Sequence, residues 1–131
     1  MLKYGVFGLA ALGLAGMALA QTANVESYSL DGVDVQVTVH PFLTEEEVAT
    51  LRLVGQNREA LGLFIADGPG YSALAVAPAE GFIRDGVPIG SAIALSGLES
   101  AEAASQAAIE ACDAARQGGP DCVVVLEVAS R

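Results

Sequence analysis

The residues of this chain with the clearest chemical potential are its two cysteines, Cys112 and Cys122, with Gly118-Gly119-Pro120 between them. That turn folds the chain back on itself, and an even, minimal cysteine count in an exported chain reads as a disulfide. Closing a loop of roughly ten residues is worth about 2.5–3 kcal/mol by the chain-entropy relation. A reactive or metal-binding thiol pair would call for Cys-x-x-Cys spacing and a neighbouring histidine, and neither accompanies this pair.

His40 is the only histidine. One imidazole excludes a multi-His zinc site and an HExxH helix. It could serve as the base of a Ser-His-Asp set, but no Gly-x-Ser-x-Gly elbow presents a nucleophile. Its place on the polar side of an alternating strand, just before Pro41, predicts a surface histidine instead. Glu45, Glu46 and Glu47 could gather Ca²⁺, yet adjacent helical residues point in different directions and no Asp-x-Asp-x-Asp loop is present. Asp67-Gly68-Pro69-Gly70 lacks the Lys-Ser/Thr of a P-loop, so no nucleotide site is indicated. A paired-carboxylate glycosidase needs acids on facing elements of a cleft, which a domain of this size rarely forms. No cofactor, no metal and no catalytic set is expected.

These residues must be positioned by a domain that begins after an export signal. Lys3, the uncharged apolar run Val6 to Leu19 and the small-residue site Ala18-Leu19-Ala20 have the layout of a cleavable signal peptide over residues 1–20. The run is shorter than the roughly 20 apolar residues that span a bilayer core. The expected product, residues 21–131, is a single small domain without lysine, methionine or tryptophan and with no membrane span. Losing Lys3 takes the net charge from −10 to −11, sixteen acidic residues standing against five arginines. That balance argues against nucleic acid and anionic membrane surfaces and favours cationic partners or a well-hydrated surface.

Val33, Val35, Val37 and Val39 alternate with polar residues, which predicts a half-buried strand, and Asp31-Gly32 predicts a hairpin turn pairing it with Ser27 to Leu30. Thr44 and Glu47 fit a capping box opening a helix that Gly55-Gln56-Asn57 ends. The apolar runs Ala60 to Ala66 and Tyr71 to Ala77 read as two paired strands covered on both faces. Arg84-Asp85-Gly86 with Pro88 reads as an exposed loop, and Ser91 to Leu95 as a further strand. Ser100 to Arg116, rich in alanine and free of glycine and proline, is expected to be the best helix. Its stripe Ala101, Ala104, Ala108, Cys112 and Ala115 allows close approach to a sheet, and Val123 to Val128 follows as a buried strand.

The stretch Tyr71 to Gly81, the alanine-rich helix ending in Cys112, and Asp121-Cys122-Val123-Val124-Val125 together resemble a group of small secreted bacterial domains of unknown function. Phe42 to Arg52 resembles a helix upstream in some members. The resemblance implies a β-β-α-β unit and a helix-to-strand disulfide, and it brings no catalytic site. Some members are labelled 5-aminolevulinate synthase; that chemistry needs a lysine Schiff base with pyridoxal phosphate, which the expected mature chain, without Lys3, cannot form.

The sequence therefore predicts an α+β fold: an antiparallel-dominated sheet of four to six strands, the alanine-rich helix on one face, and the Thr44 helix at an end or on the same face. It predicts a periplasmic or secreted, non-catalytic binding or structural module for a protein or envelope component. A small hydrolase or enzyme inhibitor using His40 is the alternative. The candidate contact surface is Phe82, Ile83, Arg84 and Asp85, two large apolar side chains and an arginine among turn residues; the competing expectation is that Phe82 and Ile83 tuck into the core.

Overall fold

A computed structural model describes residues 23–66 and 68–130, so the expected signal segment lies outside the described residues. Strand β1 (Asn24–Leu30) and β2 (Val33–Val39) form the expected hairpin. Its turn places Asp31 and Gly32 at φ 40° and 84°, the left-handed region an Asp-Gly pair tolerates. Helix α1 (Glu45–Val54) opens on the expected capping box: Thr44 Oγ1 accepts from the Glu47 amide and Glu47 Oε1 accepts from the Thr44 amide.

Residues 60–66 are not a strand. Asn57 caps a short helix α2 (Arg58–Leu61) by accepting from the Ala60 amide, and the Ile65 amide donates to the Leu61 carbonyl. The local cap and the four-residue spacing of Leu61 and Ile65, both buried in the core, prevail over the apolar run. The other run does form a strand, β3 (Gly70–Val76), buried on both faces from Ser72 to Val76.

The expected loop at residues 84–88 is a small hairpin of β4 (Ile83–Arg84) and β5 (Val87–Pro88). Asp85 and Gly86 sit at φ 55° and 75°, the same device as at Asp31-Gly32. Strand β6 runs Ile93–Leu98, later than expected, and α3 (Ala101–Ala115) is capped by Ser100. Strand β7 (Val123–Ser130) completes an all-antiparallel five-stranded sheet of order β1-β2-β7-β3-β6. The fold is α+β.

Alternation along β3 divides two cores. Ala73 and Ala75 face Ala104, Ala108 and Cys112 of α3 and, with Ala77 and Cys122, form a small-residue layer. Leu74 and Val76 face the other way, into a larger-residue core with Val35, Val37, Leu51, Leu126 and Phe82. Helix α1 therefore lies on the face opposite α3, not on the same face or at an end. Bulky Val33, Val35 and Val37 leave a thick gap that α1, α2 and the Phe82 segment fill, while the alanines suit one closely seated helix. Of the expected small-residue stripe on α3, Ala101 and Ala115 are exposed.

Candidate functional site

Glu47 is the unusual residue. It is a fully buried carboxylate at the first turn of α1. Its Oε2 accepts the Phe82 amide at 2.7 Å, the Ile83 amide at 3.0 Å and Arg84 Nε at 3.2 Å, while Oε1 serves the Thr44 amide. Burial alone would raise its pKa, but the Thr44, Ile83 and Phe82 amides and the Arg84 guanidinium outweigh it and hold the carboxyl below its ordinary value. Gly81, at φ 73°, gives the room: a Cβ there would overlap Arg84 Nε and Glu47 Oε2. One side chain thus caps a helix and clamps three consecutive residues of the segment entering β4.

The neighbouring turn has its own clamp. Glu80 accepts from Ser91 Oγ at 2.5 Å and from the Gln117 amide at 2.6 Å, and these donors, Ser91 first, hold its pKa down. The end of β3, the approach to β6 and the end of α3 are joined through it.

The clamped hairpin forms one wall of an apolar groove of about 240 Å³, whose other walls are Leu63 and Phe64 after α2 and Ala92 before β6. Phe82 is 2% exposed and belongs to the core, packed edge-to-face on Phe64 with ring centroids 6.0 Å apart. It is the floor of the groove rather than an exposed anchor. Ile83 and Arg84 are half-buried and Asp85 is exposed at the hairpin tip. The exposed apolar side chains near the groove are ones the sequence did not single out: Leu63, 81% exposed on its rim, and Val87, 57% exposed in β5. Leu63 stood in a run expected to be a strand; the capped turn of α2 turns it outward.

Comparison with known proteins adds no likeness. No family model, curated protein or solved structure matches this chain.

His40 is half-buried rather than on the surface. Its Nε2 donates to the Val124 carbonyl at 3.2 Å and its ring stacks on Phe42, centroids 5.3 Å apart. It extends the β2–β7 ladder beyond its last paired residues. Cys112 and Cys122 are disulfide-bonded, with Cα atoms 6.1 Å apart. Asp113 Oδ1 accepts both the Cys122 amide at 2.8 Å and Arg116 Nε at 2.9 Å, and its pKa is lowered chiefly by the Cys122 amide. Arg116 also reaches the Gly119 carbonyl and Asp121, so the loop carrying the bridge is fastened from within. Among the described residues no group of histidine, cysteine and acidic side chains forms a metal-binding cluster, and Glu45, Glu46 and Glu47 do not converge.

Proposed function

We propose that this protein is an exported, non-catalytic binding module, periplasmic or secreted, whose contact surface is the groove between Leu63 and the β4–β5 hairpin. The observation that carries it is Leu63, a large apolar side chain almost wholly in water at the rim of a concave apolar surface. Its opposite wall is locked by a buried carboxylate. A rigid pocket beside an exposed apolar rim suits an inserted side chain from a protein partner, because little ordering entropy is spent on binding. The acidic surface favours basic residues around that anchor. The leader-like residues 1–20 and the oxidised cysteine pair support an extracytoplasmic location, and among the described residues no helix is long and apolar enough to cross a membrane. Engagement of His40 by a backbone carbonyl supports the non-catalytic reading over a hydrolase.

The test places a photo-crosslinking residue at Val87 and expresses the protein in its own host. One covalent adduct, reduced at least tenfold by Leu63→Asp and unchanged by His40→Ala, is the expected result. No adduct, or an adduct indifferent to Leu63→Asp, overturns the proposal.

A further inference from the structure

Of the four arginines among the described residues, three are held by carboxylates: Arg52 by Glu26, Arg84 by Glu47, and Arg116 by Asp113 and Asp121. Arg58 makes no side-chain hydrogen bond or ion pair to any described residue. In a chain with so large an excess of acids, an unpaired guanidinium is the exception. It lines a second cavity, of about 240 Å³, that shares no lining residue with the groove above. Its apolar lining includes Leu61 and Ile65 from the α2 segment and Val33 and Val128 from β2 and β7, with Ala66 and Pro69 beside them, and Asp31 of the β1–β2 turn lines the same cavity. Asp31 and Arg58 are not ion-paired with each other, so each presents an unmatched charge to whatever enters. Glu59 lies with them on the outer approach.

The lining is divided about evenly between polar and apolar surface, and apolar walls beside a few convergent polar groups suit a small molecule that carries both. The guanidinium asks for a carboxylate, which it can bind with two parallel N–H donors. A simple anion, however, would meet the repulsion of the whole chain's negative charge and of Asp31 and Glu59 at the entrance. A zwitterion carries no net charge, satisfies Arg58 with its carboxylate and Asp31 with its ammonium, and leaves an apolar remainder for the interior. At about 30 Å³ per water, the cavity has room for about eight non-hydrogen atoms. We infer that this cavity binds a free α-amino acid with an aliphatic side chain, its carboxylate on Arg58, its ammonium on Asp31, and its side chain against Leu61, Ile65, Val33 and Val128. The site is separate from the hairpin groove and stands or falls independently of it.

The experiment is a titration of the purified, oxidised ¹⁵N-labelled protein followed by amide chemical shifts, with three probes. L-leucine carries both charges, 4-methylpentanoate lacks the ammonium, and leucine amide lacks the carboxylate. Saturable shifts with leucine, centred on Val33, Leu61, Ile65 and Val128, are expected. Binding should weaken about tenfold or more for either analogue, as losing one charge-assisted contact implies. Arg58→Gln and Asp31→Asn should weaken leucine to a similar degree. Both side chains are exposed, and asparagine tolerates the left-handed backbone of residue 31, so both variants keep the fold. No saturable shift with leucine, shifts centred elsewhere, equal affinity for 4-methylpentanoate, or indifference to Arg58→Gln each overturns the inference.

Discussion

Glu47 and Phe82 are 35 residues apart in sequence, and the Oε2 atom of the first accepts the backbone N–H of the second at 2.7 Å inside the core. A buried carboxylate is tolerated only when its lone pairs are filled, and here amides and a guanidinium fill them. Glu47→Gln keeps the shape but turns an NH₂ group toward one set of donors. It is expected to destabilise the protein by about 2–4 kcal/mol, because buried amides and Arg84 lose their acceptor. Urea unfolding followed by circular dichroism measures it.

The same carboxyl makes stability depend on acid. Its pKa is lower in the folded protein than in the unfolded chain, so as pH falls the unfolded chain takes up the proton first. The stabilisation is complete above the ordinary carboxyl value of about 4.3 and is lost as pH falls through the depressed folded value. Glu80 and Asp113 are shifted in the same direction and add to the slope. The deficit of Glu47→Gln relative to the wild type should therefore be largest near neutrality and shrink on acidification below pH of about 4. A constant deficit from pH 7 to 3 would contradict this.

Gly81 and Gly86 both have positive φ, 73° and 75°, but only Gly81 is crowded. An added Cβ at Gly86 meets nothing within 4 Å, whereas at Gly81 it overlaps the Glu47–Arg84 pair. Gly86→Ala should show only the backbone penalty, about 1–2 kcal/mol. Gly81→Ala should exceed it by about 1 kcal/mol or more, since Glu47 and Arg84 must part. Thermal melts of the two variants, compared directly, isolate the steric share.

Elements governed by a local rule were legible in the sequence. The alternating valines of β2, the Thr44–Glu47 capping box and the alanine-rich helix each carry their own periodicity or cap, and the structure reproduces them. Residues 60–66 were not, because an apolar run fits a buried strand and a buried turn equally and the deciding contact is a side chain at Asn57. The Asp85-Gly86 turn was legible in principle, since it repeats the signal at Asp31-Gly32, but its strands are two residues each. The groove was half visible: of the segment 82–85 only Phe82 lines it, as its floor, and Leu63 joins it only through tertiary packing. Nothing local distinguishes Glu47 as a capping residue from Glu47 as a clamp on a segment 35 residues away.

The Cys112–Cys122 bridge closes a separation of ten residues. Replacing both cysteines by alanine should lower stability by about 2.5–3 kcal/mol, the entropy returned to the unfolded chain. The loop need not open in the folded state, because Asp113 and Arg116 hold it independently. Adding Asp113→Ala to the double variant should then destabilise further, as the Cys122 amide and Arg116 lose their shared acceptor. Denaturant midpoints of the three proteins decide it.

His40 holds the seam where β2 ends and β7 begins, through one hydrogen bond to Val124 and a stacked Phe42. A half-buried donor of this kind contributes about 1 kcal/mol, and the stacking adds a similar amount at most. His40→Ala should therefore destabilise by about 1–2 kcal/mol, with His40→Phe recovering the stacking part and leaving the Val124 carbonyl unpaired. If His40 were a general base, both variants would abolish the same activity whatever their stability. If it is a fastener, the two differ in melting temperature and neither changes crosslinking through Val87. Measuring stability and crosslinking on the same pair of variants separates a seam residue from a catalytic one, because only the first role ranks phenylalanine above alanine.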